Sequence, residues 1–177
     1  MSKSAGLNLT ALSKYIKQII SEYNYEYIFT QVEKEFKNIL NEYYIETYTE
    51  IIKNAIEKMK EDKRKILSEI DFVKSEIEIP EPEIEKLSKE EWNKLKKEGT
   101  HKITLVDNEK FILNPNRVKN FIKNIENVKI SSGFIEKYME NVAIFIKYYV
   151  LKSLKIALEN NKKKITSEML KEAFGKE

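Results

Sequence analysis

The sequence predicts an all-α fold in which two copies of one helical unit share a core, with a small insert between them. Three observations carry that prediction. The stretches "KRKILSEI" at 63–70 and "KKKITSEM" at 162–169 are identical at five of eight positions. Sliding the chain on itself by 99 residues lays "FKNILNEYYIETYTEIIKNAIEKMKEDKRKILSEI" over "IEKYMENVAIFIKYYVLKSLKIALENNKKKITSEM" without a gap. The apolar residues that coincide there, among them Phe36/Ile135, Leu40/Met139, Tyr43/Val142, Ile52/Leu151 and Ala55/Leu154, recur at steps of three and four, the period of one helix face.

Taken in order, "LTALSKYIKQII" forms a short amphipathic helix with Leu9, Leu12, Tyr15, Ile16, Ile19 and Ile20 on one side. A long helix follows, with Thr30 and Glu33 as a capping box at its start. It runs about 30 residues without Pro or Gly, roughly 45 Å at 1.5 Å per residue. A basic loop and a third, short helix capped by Ser68 complete the first copy. In the insert, Pro80 and Pro82 make "EIPEPEIE" extended and acidic. "SKEEWNKLKKEG" is a small helix with Ser88 and Glu91 as capping box and Gly99 as its stop, and Trp92 is its anchor. "HKITLVDNEKFILN" alternates around a turn and reads as a hairpin over 101–114.

The second copy opens with "NPNRVKNFIKNI", where Pro115 suits a first turn and Val118, Phe121, Ile122 and Ile125 are apolar. Ser131 or Ser132 caps its long helix, and Thr166 caps the last short one. The boundaries are 1–78 for the first unit, 79–113 for the linker and insert, and 114–177 for the second unit, all in one compact domain. One unit alone leaves most of its apolar flank wet, whereas two crossing at their long helices close a core. The repeat reads as a dimer written in one chain.

Composition removes several classes of function. The chain is 41% hydrophobic and 34% charged, enough for a core beneath a charged surface. It has no cysteine, so disulfides, thiolate nucleophiles and Cys-type zinc sites are excluded, and a reducing, cytoplasmic setting is expected. "VAIFIKYYVLKSLKIAL" is broken by Lys147, Lys152 and Lys155, which argues for a buried helix and against a membrane span. The abundance of Lys, Glu and Ile fits a thermophile and equally an AT-rich genome. His101 has no second His or Cys to work with, and Glu81, Glu83 and Glu85 read as a solvated linker. The glycines at 6, 99, 133 and 175 are too scattered for a phosphate loop. No enzyme, metal or cofactor is expected. Net charge is only +3, but residues 114–177 hold 13 basic against 7 acidic side chains, so the basic excess lies in the last third.

Short helix, long helix, short helix with a basic loop before the last resembles the histone fold. The motifs that carry the likeness are "VKIS" before the second long helix and "NKKKITSEMLKEA" after it. The pair resembles two fused histone-fold units in an intramolecular handshake, similar to archaeal histones and to an uncharacterised family of histone-fold pseudodimers in thermophilic bacteria. The resemblance covers about three quarters of the chain and leaves out residues 73–113. It implies non-specific binding to the phosphates of double-stranded DNA, and hence a nucleoid-associated protein. Its contacts would fall on Lys129 before the long helix, on Lys63, Arg64, Lys65, Lys162, Lys163 and Lys164 in the two second loops, and on Arg117, Lys119 and Lys123 of a first helix.

The chain departs from that pattern in places. The family's loop threonine is replaced by Lys65 and Lys164. The Asp that the family pairs with its loop Arg becomes Ile70 and Met169 in the 99-residue register, while Arg64 and Asp71 stand seven apart but one place out of it. One end combines Lys129 with Lys63, Arg64 and Lys65. The other is expected to set Lys162, Lys163 and Lys164 beside "SEYNYEY", with Glu22 and Glu26. The alternative to DNA binding is a histone-fold interaction module that binds a protein partner and does not wrap DNA. A fused pair needs no partner chain to fold, so a monomer is expected either way.

Overall fold

The computed structural model describes residues 6–99 and 113–175. His101 and the expected hairpin lie outside the described residues, apart from the hairpin's last two positions, Leu113 and Asn114. The chain is mostly helical. Its elements in order are α1 (Leu9–Glu22), β1 (Gln31–Val32), α2 (Lys34–Glu61), β2 (Ile66–Leu67), α3 (Glu69–Val73), α4 (Lys89–Lys97), α5 (Pro115–Ile125), β3 (Lys129–Ile130), α6 (Ser132–Glu159), β4 (Lys164–Ile165) and α7 (Ser167–Phe174). The two long helices are 28 residues each, about 42 Å. No helix among the described residues is long and apolar enough to cross a membrane.

Local chemistry explains most boundaries. Asn114 caps α5 by accepting from the Arg117 N–H at 2.9 Å, with Pro115 in the first turn. Ser131 accepts from the Phe134 N–H at the head of α6, and Ser88 from the Glu91 N–H at the head of α4. Gly99 and Gly175 follow α4 and α7 with φ of 70° and 86°, the left-handed conformation that ends a helix at no cost to a residue without Cβ.

Two expectations need correction. The capping box at Thr30 does not form: residues 31 and 32 are a strand, α2 begins at Lys34, and Glu33 turns away from its own helix. The repeat also runs at 98 residues, not 99. Lys34–Glu61 matches Ser132–Glu159, and the left-handed residues that follow the long helices are Lys63 and Asn161. In that register Phe36 matches Phe134, Leu40 matches Tyr138 and Ile52 matches Val150, all fully buried. The lysine-rich loops pulled the sequence register by one. On a helix one step is about 100°, and both long helices are apolar over so wide an arc that the slip still aligned apolar residues.

The chain divides into two compact units, each drawn from both halves of the sequence. The first combines residues 1–8, 41–79 and 110–145. Its core is aromatic: Tyr48 meets Tyr138 at 5.2 Å and Phe145 at 5.4 Å between ring centroids, and Phe72 meets Phe134 edge-on at 5.5 Å. The Tyr44 and Tyr138 hydroxyls share a hydrogen bond of 2.6 Å, and the Tyr48 hydroxyl donates to Asn141 Oδ1 at 2.5 Å. Those buried hydroxyls would be costly without partners.

The second unit combines residues 9–40, 80–109 and 146–177, around Leu12, Ile16, Ile20, Phe29, Phe36, Leu151 and Leu170. The insert packs on this unit's own loop. Trp92 lies edge-on to Tyr27 at 5.7 Å and donates its indole N–H to Glu26 at 2.7 Å. Glu26 is only 3% exposed and also accepts from the Ser21 hydroxyl. A backbone bond from the Leu87 N–H to the Tyr23 carbonyl and a side-chain bond from the Tyr25 hydroxyl to the Glu85 carbonyl continue the attachment. The segment 76–88 has neither helix nor strand, as its prolines require.

Candidate nucleic-acid interface

Each unit contains one junction where a loop preceding a long helix pairs with a loop following the other. In the first unit, β2 and β3 run parallel, with Ile66 opposite Lys129 and Leu67 opposite Ile130. The Ser131 N–H then donates to the Leu67 carbonyl at 2.9 Å. The pairing brings Lys129 to the loop that holds Lys63, Arg64 and Lys65, as the sequence suggests. Lys63, Lys65 and Lys129 are exposed, and none forms an ion pair with a described residue.

Arg64 does something else. Its guanidinium donates to both carboxylate oxygens of Asp71, to the Ser68 hydroxyl and to Asp62. The Asp71 carboxylate, fully buried, also accepts from the Ser68 backbone N–H at 2.8 Å. Burial pushes its pKa up, but the Arg64 and Ser68 hydrogen bonds outweigh that and hold it below the usual carboxylate range. The same pairing pushes Arg64 up from an already high value. The Arg–Asp clamp that seemed out of register does form, because the true repeat is 98 and the loop is braced by Asp71. In the other copy the matching pair is Lys162 and Met169, and no clamp is possible.

Helix α5 adds to the first junction. Lys119, Lys123, Asn127, Val128, Lys129 and Ile130 line an open groove of about 500 Å³ with no carboxylate in its wall, and Glu69 lies outside it, beside Gly133 and Ser131. The nearby Glu126 is taken up by Lys60, at 2.7 Å. Arg117 is not with them: its guanidinium donates to the Gly6 carbonyl at 2.8 Å, where Gly6 lies too close to the Asn41 side chain for a Cβ. The first junction thus presents five lysines, with both arginines engaged in holding the chain.

In the second unit β1 pairs with β4, Gln31 opposite Lys164 and Val32 opposite Ile165, and the Glu33 N–H donates to the Ile165 carbonyl at 2.9 Å. Lys162, Lys163 and Lys164 are exposed here. Their acidic neighbour is Glu33, not Glu22 or Glu26 as the sequence suggested. Glu26 is buried against Ser21 and Trp92, and Glu22 accepts from Gln18 on its own helix. Glu33 Oε1 accepts from the Ser167 hydroxyl at 2.5 Å and from its N–H at 3.3 Å. The groove at this junction is smaller, about 130 Å³, and is lined by Ser13, Lys17, Glu33, Lys34 and Lys37. Lys34 and Lys37 were missed because the long helix was started too early. Glu33 is assigned to a capping box with Thr30 in the sequence, a role that the strand Gln31–Val32 takes away.

No family model matches the chain, and no curated protein matches it. Its fold does have a counterpart among solved structures. The crystal structure of the histone from Methanopyrus kandleri superposes with a TM-score of 0.59 at 17% identity, over 94% of this chain and 92% of that one. At that identity the likeness is one of fold, and the fold of this chain is histone-like.

Proposed function

We propose that this chain is a single-chain histone pair, two histone-fold units in an intramolecular handshake, that holds the phosphate backbone of double-stranded DNA without reading its sequence. The units would be 1–78 and 114–177, with 79–113 as a packed insert, and the protein would act as a monomer. The observation that carries this reading is the first junction: Lys63 and Lys65 from the loop before β2, Lys129 of β3, and Lys119 and Lys123 of α5, the last three lining a groove with no carboxylate in its wall. Lysines placed this way neutralise phosphates and release counterions, while both arginines, whose planar fork suits bidentate recognition, are engaged within the protein. Arg64 and Arg117 serve by holding the loop and the start of the chain in place.

A second reading, docking of a protein partner, draws on a different surface. Ile66, Ile70, Val73 and Ile77 are all between 38% and 50% exposed along one stretch of the first unit. The matching positions of the second copy are Lys164, Glu168, Lys171 and Gly175. The two readings concern different residues and are compatible.

The proposed function is tested by equilibrium anisotropy with two duplexes of equal length and unrelated sequence at low salt. Equal affinities are expected. A preference beyond about tenfold for one duplex would mean base reading, and no binding to either would remove DNA as the ligand.

A further inference from the structure

The two strand junctions are built alike up to the residue that follows the first strand. In the first unit that residue is Ser131, whose hydroxyl stays with its own helix as the cap of α6. In the second it is Glu33, and its carboxylate crosses to α7, where it accepts from both the hydroxyl and the N–H of Ser167, the first residue of that helix. An anionic oxygen already sits where an amide N–H and a hydroxyl converge beside the loop lysines. Those are the partners a phosphate oxygen would take. The Ser167 hydroxyl, with Lys164 and Lys171 adding, holds the Glu33 carboxyl below its ordinary range, so it is ionised at neutral pH.

The rest of the second junction agrees with an occupied site. Gln31 stands where the first junction has Lys129. The smaller groove has Glu33 in its wall beside Lys17, Lys34 and Lys37, while the wall of the larger one holds Lys119, Lys123 and Lys129 and no carboxylate.

We propose that Glu33 is a built-in occupant of the second junction: its carboxylate stands in for a phosphate oxygen, so the protein grips duplex DNA through the first junction alone. Lys162, Lys163 and Lys164 are silenced as phosphate ligands by it. This inference rests on the DNA-binding reading above and distinguishes the two junctions. A chain that grips at one junction neutralises fewer phosphates than a symmetric pair and cannot carry DNA continuously across both junctions.

The test measures binding of the full-length protein to a short random-sequence duplex across a salt series. Changing Lys162, Lys163 and Lys164 to Ala in the wild-type background leaves the slope of log affinity against log salt unchanged. Glu33→Ser, which installs the residue of the first junction, steepens the slope by about 0.9 for each phosphate newly neutralised. Adding the three alanines to that variant returns the slope to wild type. Glu33→Gln keeps an acceptor for Ser167 and steepens the slope too, which separates loss of charge from loosening of the loop. The proposal is overturned if the three alanines flatten the slope in the wild-type background, or if folded Glu33→Gln keeps the wild-type slope. Absence of duplex binding by the wild type at low salt would instead remove the DNA-binding reading, and this inference with it.

Discussion

Arg64 holds both carboxylate oxygens of Asp71 across a seven-residue gap, and Asp71 in turn holds the backbone N–H of Ser68. The arrangement closes the loop that presents Lys63 and Lys65. Asp71→Asn leaves a buried polar group with one charged partner, and a loss of about 1.5–3 kcal/mol is expected at neutral pH, read from urea unfolding. The native carboxyl titrates below its unfolded value of roughly 3.9. Its contribution is therefore complete above that value and is lost as pH falls through the native one. Wild-type stability should fall in acid more steeply than that of Asp71→Asn, the two converging as pH falls through the native value. Parallel curves would mean the pair contributes nothing.

The Tyr44–Tyr138 hydroxyl pair makes a different prediction. Each single change to Phe orphans the remaining buried hydroxyl, at a cost of about 1–3 kcal/mol, while the double change removes both and costs less than the sum. A double-mutant cycle measures the difference; simple additivity would show the bond to be irrelevant. Burial raises the pKa of both phenols above the ordinary 10. A raised phenol adds stability that is complete below 10 and is lost as pH rises toward the native value. The two should therefore ionise only together with unfolding in an alkaline titration followed by ultraviolet absorbance.

Trp92 reports on the insert. Its indole covers Tyr27 and satisfies the buried Glu26 carboxylate. Trp92→Phe keeps most of the ring and leaves Glu26 with the Ser21 hydroxyl alone. Hydrogen exchange at the Leu87 amide, which donates to the Tyr23 carbonyl, is expected to speed up by about tenfold or more, consistent with a loss near 1.4 kcal/mol. DNA affinity should not move, since the insert contributes none of the lysines of the first junction. A parallel loss of DNA binding would show that the insert takes part in the grip.

Much of this architecture is legible in the sequence because it depends on period and on punctuation. The long helices announce themselves by apolar residues three and four apart over a stretch without Pro, and without Gly after the opening turn. Asn114–Pro115, Ser88 and Thr166 mark helix starts that form as expected. What failed did so for physical reasons. The 99-residue register came from matching lysines, which lie in exposed loops where residue identity carries little structural constraint. The strand Gln31–Val32 is two residues long and exists through its pairing with Lys164 and Ile165, far away in the chain, so no local pattern specifies it. With that strand hidden, Glu33 looked like a cap. The lysines of the first junction were found because they cluster in sequence, whereas the engagement of Arg64 and Arg117 depends on partners that sequence does not bring together.

The most direct test of the central claim compares the wild type with a Lys63→Ala, Lys65→Ala, Lys129→Ala variant on one duplex across a salt series. All three side chains are exposed and unpaired with described carboxylates, so the variant should fold with unchanged circular dichroism. The expected result is a linear fall of log affinity with log salt for the wild type, and a slope shallower by up to about 2.7 in the variant, near 0.9 for each lysine that meets a phosphate. Equal slopes from two folded proteins would contradict the claim that this junction is the phosphate grip.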